Sequence, residues 1–124
     1  MEILPTSASP TTTIEVGANA EDRATAYLID RGYTIVERNF EIKAGELDII
    51  ARDGAILVFV EVRSRANADH GHAVEMITPA KQRQVARIAG FYLQLRRPAY
   101  DEIRFDVVAI TGDEILLVQD AWRL

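Results

Sequence analysis

At 124 residues and 48 % hydrophobic composition, the chain can build one real core but not two, so a single domain is expected. The absence of cysteine excludes a disulfide framework, a thiolate metal site and a cysteine nucleophile, and leaves oxygen and imidazole as the ligands any metal must use. A formal net charge of -5 argues against wholesale coating of nucleic acid, because affinity for a phosphate backbone comes from lysines and arginines that displace counterions.

Residues 1–16 hold Pro5, Pro10 and a run of Ser and Thr with scattered apolar residues, which predicts a flexible N-terminal extension ahead of a domain over 17–124. The first helix is expected from Asn19, a suitable N-cap, to Gly32, a helix stop. Ala20, Ala24, Tyr27, Leu28 and Arg31 share one side at helical spacing, and Glu21 falls at the edge of that face. Three strands follow: Tyr33 to Ile42, then Glu46 to Ala51 after the turn at Lys43-Ala44-Gly45, then Ala55 to Arg63 after the Asp53-Gly54 hairpin signal. The third is continuously apolar through Val60, as a strand covered on both faces must be.

Ser64 to Ile77 has no periodicity and reads as a loop. Thr78-Pro79 then supplies a cap and a proline at the first helical position, opening a helix that runs to about Arg97 before Pro98. Ile103 to Ile110 and Glu114 to Asp120 make the last two strands about the Gly112-Asp113 turn. The fold class is therefore α/β, a mixed sheet of about five strands flanked by helices. The longest apolar stretch, Ala55 to Val60, is too short to span a bilayer, and the start of the chain has neither a basic n-region nor an apolar h-region. A cytoplasmic location without membrane association is the expectation.

Asp48 interrupts an apolar strand, and Glu61 and Arg63 end the most hydrophobic one. A charge in such a place costs several kcal/mol to desolvate unless it is paired, solvated or bound to metal. Glu61 and Arg63 point to one face of their strand, Val60 and Val62 to the other. If the flanking strands pair about Asp53-Gly54, Asp48 and Glu61 come close enough to share a hard cation. Two carboxylates, a backbone carbonyl and waters suit Mg²⁺, which can polarise a phosphodiester, with Arg63 or Lys81 as the nearby cation. The same charges also satisfy one another as a strand-end ion pair, and spacing leaves both readings open.

The words Gly45-Glu46-Leu47-Asp48-Ile49-Ile50 and Val58-Phe59-Val60-Glu61-Val62-Arg63-Ser64-Arg65 resemble the D…ExK signature of the PD-(D/E)xK nuclease superfamily. More closely, the chain resembles the uncharacterised bacterial YraN family, related to archaeal Holliday-junction resolvases. The likeness runs from about Gly17 to Trp122 and takes in Glu21, Gly45 to Ala51, Phe59 to Arg63, Lys81, and Arg104 to Val108. It implies a restriction-endonuclease-like fold and Mg²⁺- or Mn²⁺-dependent hydrolysis of DNA. It also implies metal ligands Asp48 and Glu61, and a catalytic set of Glu21, Asp48, Glu61, Arg63 and Lys81. The departure is Arg63, where the superfamily carries lysine. Arginine stays protonated, so it can hold anions or water through its donor fork but cannot act as a general base.

The segment from Ala80 to Arg97 carries Lys81, Arg83, Arg87, Arg96 and Arg97 and no acid. Val85, Ile88, Ala89 and Tyr92 form its apolar stripe, and Lys81 lines up with it, aimed at the sheet edge as a member of the site. Arg83 and Arg87 face outward, a solvated face that can touch phosphates; Arg65 is a further nucleic-acid contact candidate. Asp106 shares a strand face with Arg104, and an ion pair and a metal role both stay open there. His70 and His72 lack the carboxylate spacing of a zincin and read as loop residues, in a loop that could close over a DNA branch. Two functions compete: a metal-dependent DNA endonuclease selective for branched DNA, and an inactive nuclease-fold module that binds nucleic acid or a protein partner. Cutting both strands of a junction would call for a homodimer.

Overall fold

The computed structural model describes residues 13–67 and 77–123. Most of the expected extension, and the middle of the 64–77 loop with His70 and His72, lie outside the described residues. Helix α1 (Thr13–Asp30) is followed by β1 (Thr34–Ile42), β2 (Gly45–Asp53), β3 (Ile56–Arg65), α2 (Pro79–Arg96), β4 (Glu102–Thr111) and β5 (Glu114–Trp122). The strands lie in the order β1-β2-β3-β4-β5, with β3 and β4 parallel and every other neighbouring pair antiparallel. The parallel pair is the one whose strands are joined through α2, because a parallel connection needs a crossover.

Helix α1 starts at Thr13, ahead of the expected Asn19, and so reaches into the segment read as an extension. Gly17 and Asn19 cost a helix interior about 1 kcal/mol or less each, and a residue that can cap does not have to. The end falls where expected. Gly32 takes φ 94°, its N–H donates to the Ile29 carbonyl (3.0 Å), and the Tyr33 N–H donates to the Leu28 carbonyl (3.0 Å). This paired closure satisfies two of the last carbonyls of the helix. Arg31 was expected on the buried stripe and is exposed instead. Its guanidinium hydrogen-bonds the Tyr27 hydroxyl and lies 4.0 Å from the Tyr27 ring centroid, which keeps the charge in water. Helix α2 begins as its sequence dictates, with the Thr78 hydroxyl accepting from the Lys81 N–H (3.1 Å) and Pro79 at the first turn.

The sheet is covered on both sides. Leu47, Ile50, Leu57, Phe59 and Phe105 pack with Val85, Ile88, Ala89 and Tyr92 of α2. Ile49, Ala51, Val58, Val60, Val108 and Ile110 pack with Ala20, Ala24 and Leu28 of α1. The unbroken apolar run of β3 therefore feeds two cores, Leu57 and Phe59 into one and Val58 and Val60 into the other. Aromatic edges fix the α2 layer: Tyr92 meets Phe40 and Phe59 edge-on at 5.1 and 5.7 Å, and Phe105 stacks on Trp122 at 5.0 Å. The apolar run of β3 ends at Val60, and its charged residues, Glu61, Arg63 and Arg65, follow.

Candidate active site

The ladder between β2 and β3 runs from Asp53↔Ile56 to Ile49↔Val60, so Asp48 and Glu61 fall at the end of the regular pairing. There the Asp48 carboxylate takes over from the ladder: the Val62 N–H donates to its Oδ2 at 2.9 Å. A partly buried carboxylate at that point satisfies a backbone donor that β2 no longer serves. Burial pushes the Asp48 carboxyl above the usual carboxylate range, against the pull of the Val62 hydrogen bond and the Arg63 charge; the Glu21 and Glu46 charges push it further up.

Glu61 is only 2 % exposed, as little as an interior leucine. It faces the α2 side of the sheet, where Arg63 NH2 reaches its Oε1 at 3.2 Å and Lys81 Nζ lies 3.7 Å from the same oxygen. Burial lifts the Glu61 carboxyl to about 7 and the neighbouring Asp48 charge adds to the rise, while Lys81 and Arg63 pull it back. Desolvation outweighs two cations here because both cations are partly in water, with side chains 30 % and 23 % exposed.

Glu21, on the flank of α1, completes the acidic surroundings. Arg38 of β1 donates to its Oε1 from Nε (3.2 Å) and from NH2 (2.9 Å), and the same NH2 reaches Asp22 at 2.8 Å. A cleft of about 210 Å³ is lined by Ala20, Glu21, Asp48, Val62, Arg63 and Ser64. Glu61 and Lys81 do not line it; they sit behind Arg63 in the α2 layer. Asp48 is thus the carboxylate that opens to the cleft, and Glu61 the one buried beneath. Arg63 spans the two, giving NH2 to Glu61 while its buried Nε finds no acceptor among the described residues.

Glu21, Asp48, Glu61, Arg63 and Lys81 are therefore neighbours. Arg83 and Arg87 stand apart on the outer side of α2, both exposed, with Arg87 5.8 Å from the Phe91 ring. Arg65, at the end of β3, is partly buried and its carbonyl accepts from the Gly112 N–H (2.9 Å). Asp106 belongs to neither group. It is wholly buried on the α1 side and accepts from Arg104 Nε (2.8 Å) and the Tyr33 hydroxyl (2.7 Å), an internal ion pair. Two larger clefts, about 620 and 730 Å³, open at the opposite end of the sheet around Gln119. Their principal charges already neutralise one another, Arg104 with Asp53 and Arg123 with Asp120.

Among the described residues no group of three His, Asp or Glu side chains gathers closely enough to hold a metal ion. A cation here would have the two carboxylates Asp48 and Glu61, with backbone and water supplying the rest. Burial lifts both carboxyls above their ordinary range and the Asp48 charge lifts Glu61 further, so a divalent cation between them would relieve a cost that Arg63 and Lys81 offset only in part. Arg38 and the Val62 amide are the two participants that the sequence did not single out. The amide leaves no trace in a sequence, and Arg38 looks like any charged residue on an edge strand.

Over most of its length the chain is similar to known proteins. Residues 20–110 match the model of UPF0102, described as an uncharacterised protein family. A UPF0102 protein of Syntrophus aciditrophicus is 42 % identical over 118 residues, covering 92 % of this chain and 93 % of the relative. One from Dechloromonas aromatica is 46 % identical over 111 residues, 90 % and 91 % of the two chains, and one from Dictyoglomus turgidum is 43 % identical over 96 residues, 77 % and 81 %. The matched region takes in Glu21, Asp48, Glu61, Arg63 and Lys81.

Proposed function

The chain belongs to the UPF0102 family, the YraN family named from its motifs, and on that footing we propose that it is a divalent-metal-dependent endonuclease of the PD-(D/E)xK type that hydrolyses DNA. The observation that carries the reading is the pair Asp48, partly buried at the cleft on β2, and Glu61, buried on β3 beside Arg63 and Lys81. Asp48 and Glu61 would hold Mg²⁺ or Mn²⁺, and the ion when bound supplies Lewis-acid polarisation of a phosphodiester and charge neutralisation. Arg63, which lines the cleft, would meet a phosphate oxygen through guanidinium N–H groups that it does not give to Glu61. Lys81 offers a second positive charge from the first turn of α2, where the helix dipole also favours an anion. Neither residue removes a proton from water in this reading; arginine cannot, and Lys81 is committed to Glu61. Branched DNA is the proposed substrate and a symmetric dimer the proposed working form.

The test is cleavage of linear, flapped and four-way DNA with Mg²⁺ or Mn²⁺ by the wild type and by Glu61→Ala. Cleavage that disappears in the variant supports the reading. Cleavage retained at the wild-type rate places the activity elsewhere and removes it.

A second reading is favoured by one observation: Glu61 is already engaged by both Arg63 and Lys81, as in a module that kept the fold and lost turnover. Nucleic-acid affinity would then reside in the exposed arginines. Neutralising Arg83 and Arg87 together is expected to weaken DNA binding and to reduce the slope of log affinity against log salt by about 1 to 2. Anisotropy titrations at several salt concentrations measure it, and an unchanged slope would remove these arginines from the interface.

A further inference from the structure

Glu21, which lines the cleft with Asp48, is held by a side chain outside the candidate catalytic set, that of Arg38. Glu21 stands on α1, one residue from the buried Ala20, with its side chain 16 % exposed. A glutamate side chain there has several rotamers open to it, and the nearby Asp48 charge repels it. The counterweight comes from β1. Arg38 directs two N–H groups, Nε at 3.2 Å and NH2 at 2.9 Å, at a single oxygen, Oε1. The same NH2 also binds Asp22 at 2.8 Å, so the guanidinium is itself anchored to the middle of α1. Among the described residues Oε2 takes no hydrogen bond. The fork therefore holds one oxygen of Glu21 and leaves the other to the cleft that Glu21 and Asp48 line together.

We propose that Arg38 is a positioning residue of the site: it clamps Glu21 by Oε1 so that the free carboxylate oxygen is presented to the cleft beside Asp48. The proposal rests on the metal-dependent reading given above. Its physical content is geometric rather than electrostatic. A cation removed merely as a charge would leave the cleft more negative and tighten its hold on a divalent ion. A clamp removed would let Glu21 swing away from Asp48 and loosen that hold.

Mn²⁺ affinity, followed by electron paramagnetic resonance of the free ion, separates the two. Glu21→Gln and Arg38→Gln are each expected to weaken Mn²⁺ binding, by about tenfold, the usual scale for outer-sphere positioning groups. Arg38→Lys, which keeps the charge and loses the fork, should also bind Mn²⁺ more weakly than the wild type. The double variant Arg38→Gln/Glu21→Gln should bind no more weakly than Glu21→Gln alone, because Arg38 acts through that carboxylate. Tighter or unchanged binding in Arg38→Gln, wild-type affinity in Arg38→Lys, or losses that add in the double variant would each overturn the proposal while the metal site stands. A wild type with no saturable Mn²⁺ binding would instead remove the metal reading, and the clamp with it.

Discussion

Glu61→Gln is expected to stabilise the fold at pH 8 and to cut metal-dependent cleavage steeply. The two effects have one cause. Burial lifts the Glu61 carboxyl to about 7, so the folded chain binds a proton there more tightly than the unfolded chain, whose group keeps the ordinary value of 4.5. Between those values the folded state carries the extra proton, and stability falls as pH rises through them. Above the upper value the full cost of a buried, ionised carboxylate is present, on the order of 1–3 kcal/mol. Gln keeps an oxygen for Arg63 and has no charge to desolvate, so the variant escapes that cost.

Metal-free thermal unfolding at pH 5 and pH 8 measures it: the wild type should lose several degrees between the two and the variant markedly fewer. Mg²⁺ should restore part of the loss at pH 8 in the wild type and little in Glu61→Gln, because the ion replaces the proton. Cleavage in the variant should fall by about a hundredfold or more, the scale on which a group stabilising developing charge acts. A wild type equally stable at both pH values, or a variant that loses stability in parallel with it, would show that Glu61 is ionised without cost.

How much of this was legible from the sequence depends on the range of the interactions involved. Local signals carried the elements: Thr78-Pro79 opened α2 and Gly32 closed α1, since caps and stops act within a turn. The alternation of Leu57, Val58, Phe59 and Val60 between two layers needed only the pleat of one strand. The same pleat put Glu61 and Arg63 on one face, and helical spacing brought Lys81 to it. The start of α1 was not legible, because the cost of Gly17 and Asn19 inside a helix is too small to force a boundary. Register was not legible either. That the β2–β3 ladder ends at Ile49↔Val60, leaving Asp48 to bind the Val62 amide, is a property of two strands in contact. Arg38 reaching Glu21 across the gap from β1 to α1 is likewise a tertiary fact. The sequence therefore exposed the residues that carry charge into the core and concealed those that hold them there.

Asp106→Ala is expected to cost about 3–5 kcal/mol, the scale for removing one partner of a buried ion pair. Asp106 and Glu61 are both acids buried in the sheet, and their surroundings explain why they behave oppositely. Asp106 accepts four hydrogen bonds: from Arg104 Nε (2.8 Å) and NH2 (2.9 Å), from the Tyr33 hydroxyl (2.7 Å) and from the Asp120 N–H (2.9 Å). The last exists because the β4–β5 register shifts between Phe105 and Val107, where Asp120 adopts φ 53°. Arg104 is held in turn by Asp53 (2.9 Å), and Tyr33 by Gln119 (2.9 Å), so the network ties β2, β4 and β5 to the residue that follows the stop of α1. Burial, and then the bond to Asp106, lift the Tyr33 hydroxyl to about 12, which keeps it a donor throughout the working range.

Removing the carboxylate leaves a guanidinium only 13 % exposed and a buried phenol without their shared acceptor. Urea unfolding should report the loss, Asp106→Asn should lose less because it still accepts from Tyr33, and added Mg²⁺ should leave both losses unchanged. A loss below about 1 kcal/mol, the scale of an exposed pair, would mean that the network is solvated. A loss that Mg²⁺ abolishes would mean instead that Asp106 works with a metal.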